Sequence, residues 1–226
     1  AKLLKVRENR VRPGKDDKVL VSWNALMIDG MARAAGTLEE TRYLHAAVRA
    51  MDFVLCSLRR PDGRLLHSWR RGQAKFDGYL DHYAYTVNAL VTLYETNFDE
   101  RWIDEAVRLA DLMIQHFSAP EGGFFFTADD HEQLIARTKD WYDSSVPSGN
   151  SMSASALLRL GTLTGRGDYL ESARMTLKAG LSVMERAPAA AGQLLAALDM
   201  YLDPLPEIVL LGRESPENAK KILAEL

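Results

Sequence analysis

Carboxylates, aromatic rings and amides gather at three places along this chain. The first set is Asp16, Asp17, Ser22, Trp23 and Asn24. The second is Asp77, Tyr79, Asp81, His82 and Tyr83, and the third is Tyr142, Asp143, Ser148, Asn150 and Ser151. Such groups together suit a polyhydroxylated ligand such as a sugar, because rings stack on its C–H faces while polar groups bond its hydroxyls. Carboxylates also act as general acids and bases, and an imidazole titrates near neutrality. Asp17, Asp81 and His82 are therefore the catalytic candidates. Trp23, Trp69, Tyr83 and Phe126 are the candidate walls, and Asn24, Asp77, Asp143, Ser148 and Asn150 the polar substrate-binding candidates. A structural reading stands beside each. Asp16 and Asp17 fit a helix cap, as do Asp77 and Asp81, and Ser148-Gly149-Asn150 fits a turn and cap. His82 and Trp23 fit a core as well as a site.

Other chemistries lack their residues. The five histidines show no HExxH or paired ligand spacing and there is one cysteine, so no metal and no cofactor are expected. Cys56, set between Leu55 and Ser57 in a helical stretch, is expected to be a buried or half-buried structural thiol. No GxSxG elbow and no GxxxxGK[ST] loop occurs. The net charge of −3 is spread over both signs without a basic stripe, which argues against nucleic acid as a partner. No apolar run approaches the ~20 residues of a membrane span, so no membrane partner is expected. With no secretory signal, a cytoplasmic location is the expectation.

The three polar sets sit at the starts of three helices, and a repeat reveals the pattern. Tyr43, Trp102 and Tyr169 each have an alanine four residues on, at Ala47, Ala106 and Ala173. Asn24, Tyr83 and Asn150 each lie 19 residues before one of these aromatics. Pro61 and Gly63 recur as Pro120 and Gly122, so the copies are spaced by 59 and 67 residues. Apolar periodicity places helices at about 19–35 and 42–58, 80–96 and 100–117, and 150–164 and 169–185, with a seventh at 192–201. Short strands are expected at 65–69 and 207–211, a polar excursion at 70–75, a second turn-plus-strand at 121–127 and a last helix from Ser215. The first helix of each pair is poor in charge: 83–94 carries none, and 152–163 carries Arg159 alone. A helix apolar nearly all round is buried. The first helices therefore form an inner layer and the second an outer one, the pattern of an all-α toroid of helical hairpins with short β elements in its loops.

Asp16-Asp17-Lys18-Val19-Leu20-Val21-Ser22-Trp23-Asn24-Ala25-Leu26-Met27-Ile28 resembles the DDKxLxSWNGLMI segment of the thioredoxin-domain-containing family of bacterial YyaL and animal spermatogenesis-associated protein 20. Leu80-Asp81-His82-Tyr83-Ala84 is similar to its LDDYA segment, Gly122-Gly123-Phe124-Phe125 to its GGFF, and Pro147-Ser148-Gly149-Asn150-Ser151 to its PSGNS. These motifs occur in order across roughly residues 7–212. The resemblance implies an (α/α)6 six-hairpin fold similar to N-acylglucosamine 2-epimerases and many glycoside hydrolases, hence a sugar-active architecture without a specified reaction. It also implies a preceding thioredoxin-like domain, absent here. Ala25 stands where the pattern has glycine, and His82 where it has a second acid, so Asp81 and His82 replace a carboxylate pair.

Six hairpins of this length need far more than 226 residues. Three hairpins and a partial fourth are expected, an incomplete toroid over 1–226 whose open edges pair with another copy or a missing domain, or expose apolar faces. The reading is a carbohydrate-active domain, an epimerase, isomerase or glycosidase with a small sugar as ligand. The alternative is a non-catalytic binding or scaffold module beside a thioredoxin-like domain.

Overall fold

The computed structural model describes residues 2–132 and 135–203. The expected strand at 207–211 and the helix from Ser215 lie outside them. A short helix α1 (Lys2–Glu8) comes first, in a stretch the periodicity left without structure. Strand β1 (Val19–Leu20) leads into the hairpin α2 (Val21–Thr37) and α3 (Thr41–Ser57). Strands β2 (Leu66–Arg70) and β3 (Gln73–Asp77) precede α4 (Leu80–Asn97) and α5 (Arg101–Phe117). After a long irregular segment come α6 (Gly149–Thr164), α7 (Gly167–Ala179), α8 (Leu181–Arg186) and α9 (Gly192–Leu202). The expected helix 169–185 is thus two helices broken at Gly180, where a Cβ would stand 2.5 Å from the Leu194 side chain.

Helices α2, α4, α6 and α9 pack side by side in that order, and α3, α5 and α7 each cover the inner helix before it. Three hairpins and a fourth inner helix are present among the described residues. The two middle inner helices are buried nearly all round: every residue of α4 from His82 to Leu93, and of α6 from Gly149 to Gly161, is inaccessible or nearly so. Such helices satisfy their backbone internally and have no polar face to solvate. The single charge of α6 is neutralised in place. Arg159 donates to Asn88 Oδ1 at 2.5 Å, to Thr92 Oγ1 at 2.9 Å and to Glu95 at 2.5 Å. Trp102, Tyr169 and all three repeat alanines are fully buried. An alanine one turn from the aromatic lets the outer helix approach the inner one closely, and each buried large side chain contributes about 2–3 kcal/mol.

The sheet has strand order β1-β2-β3 and is antiparallel throughout. The expected polar excursion at 70–75 is the tip of a β-hairpin. Arg71 and Gly72 both have positive φ, 50° and 80°, which matches the right-handed twist of the flanking strands in a two-residue turn. The second turn, at Gly122, forms an isolated bridge from Ser118 to Phe124, and no strand comes after it among the described residues. Cys56 is exposed, not buried. It falls on the stripe of Arg42 and Arg49, seven residues apart along the solvent face of α3.

Candidate functional site

The start of α4 brings a chain of polar groups together. Tyr79 is its N-cap and accepts the His82 backbone N–H through its carbonyl at 3.0 Å. Asp81 in the first turn is partly exposed, while His82 is buried. Asp81 Oδ1 lies 2.6 Å from His82 Nδ1, and His82 Nε2 lies 2.8 Å from Nδ1 of His67 on β2. Two tautomers fit these contacts. In one, His82 Nδ1 accepts the Tyr79 N–H at 3.2 Å and Nε2–H donates to His67. In the other, His82 Nδ1–H donates to Asp81 and Nε2 accepts from His67 Nδ1–H, so that His67 Nε2 carries a free lone pair. Burial, then the neighbouring His82, push the His67 pKa below the ordinary histidine value. His67 is therefore neutral at neutral pH, a half-exposed base at the end of an Asp–His–His relay.

An aromatic group flanks the relay. Tyr79 stacks on Phe126 with centroids 4.8 Å apart and planes 8° apart, and meets His67 edge-on at 5.8 Å. Trp69 stands two residues along β2, on the same face as His67, and packs edge-on against Phe53 of α3 at 5.3 Å.

The sequence candidates divide on this geometry. Asp81, His82 and Phe126 come together around His67. Asp17 does not join them: it is ion-paired with Arg70, whose hydrogen bond holds its carboxyl below the usual range. Nor does Asp16 or Asp17 cap the first long helix, whose N-cap is Leu20 without a side-chain cap. Asp77 pairs with Arg60 at 2.9 Å. Trp23 is 65% exposed on α2, and Asn24 donates back to the Leu20 carbonyl at 2.8 Å.

Tyr83, Ser148, Asn150 and Asp143 make hydrogen bonds within the protein. Tyr83 is buried and its hydroxyl accepts the Leu65 N–H at 3.0 Å. Asn150, fully buried, accepts the Phe124 N–H at 2.7 Å and donates to the Phe124 and Asp140 carbonyls, each at 2.9 Å. Ser148 caps α6 by accepting the Ser151 N–H at 3.1 Å. Asp143 accepts the Ser148 and Gln193 N–H groups, each at 2.8 Å, and so ties the long loop to α6 and α9. Buried polar groups are hydrogen-bonded, and these bonds hold the turns and the long loop in place.

His67 is the site residue the sequence reasoning missed. Its signal was strand alternation, which sets His67 and Trp69 on one face and Ser68 and Arg70 on the other. The structure also gathers ligand atoms of His116, Asp129 and Asp130 within 4.8 Å of one another, which no spacing announced. Asp130 is spent there on a two-pronged ion pair with buried Arg64, so the group reads as an ion-pair network.

No family model matches the chain. It is 30% identical to human spermatogenesis-associated protein 20 and 31% identical to the rat protein, each over 98% of its own length. It spans 30% of the length of these relatives. Solved structures share the fold. A GH76 α-mannanase of Bacteroides thetaiotaomicron matches with a TM-score of 0.65 and 18% identity, over 85% of this chain and 55% of that one. Cellobiose 2-epimerase of Spirochaeta thermophila matches at 0.64 and 16%, over 84% and 56%. An unsaturated glucuronyl hydrolase specific for heparin matches at 0.66 and 17%, over 85% and 62%. The architecture is that of the (α/α)6 toroid enzymes.

Proposed function

We propose that this chain, a homologue of the spermatogenesis-associated protein 20 proteins over nearly its whole length, is a carbohydrate-active domain that works by proton transfer at the Asp81–His82–His67 relay. The observation that carries the proposal is the hydrogen-bonded chain from Asp81 through buried His82 to the partly exposed His67; in the proposed state His82 Nδ1–H faces Asp81 and His67 Nε2 is unprotonated. In the proposed step, His67 Nε2 takes a proton from a sugar carbon beside a carbonyl, and the electron pair passes to the carbonyl oxygen as an enediolate. The positive charge gained by His67 is stabilised through His82 by Asp81. Return of the proton to the other face, after the intermediate rotates about the neighbouring C–C bond, gives epimerisation; return to the adjacent carbon, with the hydroxyl proton passing between the two enediolate oxygens, gives isomerisation. The stacked Tyr79 and Phe126 supply a flat apolar wall beside the base. Epimerisation or isomerisation is favoured over two-carboxylate hydrolysis because Asp17, the expected second acid, is held by Arg70. Fold neighbours with both kinds of chemistry are consistent with a sugar as the ligand class.

The test is a panel of reducing sugars offered to the full-length protein in deuterated water. Exchange at the carbon beside the carbonyl is the expected signal. His67→Gln is expected to lower it about 100-fold or more. The rate should fall as pH drops through a value below ~6.5, because the base must be unprotonated and its pKa is lowered in the fold. Unchanged exchange in His67→Gln, or no exchange with any sugar, sinks the proposal.

The scaffold reading rests on a different observation: α2 exposes Trp23 and Met27, one turn apart, at 65% and 63%. That is a face suited to packing against the remainder of a longer chain. It predicts no exchange and no sugar binding, so the same panel decides between the two.

A further inference from the structure

The opposite face of the hairpin carries a cleft of about 330 Å³ that the relay does not use. Cross-strand pairing sets Ser68 opposite Lys75 and Arg70 opposite Gln73, with Lys18 alongside, and all of them line it. Lys18 is paired with Asp16 at 3.2 Å and Arg70 with Asp17. Arg71 and Lys75 have no ion pair among the described residues, so four cations less two carboxylates leave two positive charges on the cleft. Ser68, 6% exposed, lines it as well.

Phe76 adds an independent observation. Its φ of 63° lies in the left-handed region, which is destabilising for a bulky L residue inside a strand. Regular alternation along β3 would turn its ring to the side of Ala74, opposite Trp69, where the sheet packs on the core. The ring instead stands 69% exposed at the cleft. Strain of this kind persists where the surrounding structure enforces it, and it gathers at functional sites. An aromatic ring beside a hydroxyl, an amide and surplus cations has the elements of a sugar site with an anion hold.

We infer that this cleft binds an anionic sugar, with the sugar's ring on Phe76 and its carboxylate or phosphate held by Arg71 and Lys75. Ser68 and Gln73 bond its hydroxyls. The site goes beyond the relay, and its test is independent of turnover.

Titration calorimetry with four probes tests it: glucuronate, glucose 6-phosphate, glucose and inorganic phosphate. The two anionic sugars are expected to bind saturably, about tenfold or more tighter than either glucose or phosphate, with affinity falling as salt rises. The double variant Arg71→Gln/Lys75→Gln, at two exposed positions, should lose that advantage. Phe76→Gly should weaken binding and raise the melting temperature, because it removes the ring and relieves the backbone together. His67→Gln should leave binding unchanged, which separates this site from the relay. Phosphate binding as tightly as glucose 6-phosphate overturns the inference, as does glucose binding as tightly as glucuronate. Undiminished binding in the double variant, or no saturable binding of either anionic sugar, overturns it too.

Discussion

Residues 58–66 and 117–125 are the same turn built twice, 59 residues apart. In the first, Arg60 N–H donates to Arg64 at 2.8 Å, Gly63 N–H to Arg60 at 3.0 Å and Leu66 N–H to Leu58 at 2.8 Å. In the second, Ala119 N–H donates to Gly123 at 2.9 Å, Gly122 N–H to Ala119 at 3.0 Å and Phe125 N–H to Phe117 at 2.8 Å. Each turn is then clamped by the start of the next inner helix. Tyr83 accepts from Leu65 in the first, and Asn150 accepts from Phe124 in the second. Beyond the clamp the two copies diverge. The first turn runs into the β-hairpin that presents His67 on one face and the cationic cleft on the other. The second runs into an irregular segment. The shared turn is scaffold, and the candidate chemistry lies where the first copy's β-hairpin meets the start of α4.

The sharpest way to break this equivalence is to add one methyl group to each turn. Gly63 and Gly122 have φ of 90° and 97°, so alanine is strained at both. At Gly63 the new Cβ meets the Leu112 side chain at an ordinary 3.7 Å. At Gly122 it would lie 2.6 Å from the Met175 carbonyl oxygen, a backbone atom of α7 that cannot step aside. Gly122→Ala should cost about 3–5 kcal/mol in urea unfolding, conformational strain plus overpacking. Gly63→Ala should cost about 1–2 kcal/mol, strain alone. Equal losses would show that the two turns are packed alike.

The clamps differ by less. Asn150→Ala removes three hydrogen bonds and leaves the buried Phe124 N–H unpaired, an expected loss of about 2–4 kcal/mol. Tyr83→Phe removes one acceptor from Leu65 and keeps the packing against Phe117, an expected loss of about 1–2 kcal/mol. Denaturant midpoints at constant m-value measure both. If Asn150→Ala is tolerated and sugar handling is lost, Asn150 belongs to a site and not to the scaffold.

These clamps also show what the sequence could and could not convey. The repeat aligned Tyr83 with Asn150 correctly, but a polar residue at a helix start reads alike as a ligand group or a turn clamp. The difference is whether its hydrogen bonds close inside the protein, which depends on the position of Leu65 and Phe124 in space. The inner and outer helices were legible because burial shows directly as missing charge, from Tyr83 to Tyr94 above all. His67 was hidden because a five-residue strand has two faces, and which one meets α4 is set by its pairing with Ala74 and Lys75 through the Arg71-Gly72 turn. Cys56 was misplaced by residue type, although its seven-residue spacing from Arg49 marked the solvent face. Asp17 was read for its chemistry, but Arg70, 53 residues away, claims it.

The smallest expected effect joins the two turns. Arg64 in the first turn is buried and reaches Asp130, beyond the second turn, with both guanidinium arms. Its counterpart 59 residues on is Gly123, so the link runs in one direction only. The Arg64 hydrogen bonds, against some burial, lower the Asp130 pKa from 3.8 to about 2. A carboxyl depressed in the folded state binds its proton more readily when unfolded. Its contribution is therefore full above the unfolded value of ~3.9 and is lost as pH falls toward 2. Asp130 is half-exposed, so solvent screening keeps the contribution small. Wild-type stability should thus decline between pH 5 and pH 2 more steeply than that of Asp130→Asn, for which this part of the slope is missing. Asp130→Asn should also be slightly less stable at pH 7, because buried Arg64 loses its counter-charge. Parallel pH profiles for the two proteins would mean that Asp130 titrates normally and that the tie between the turns carries no electrostatic weight.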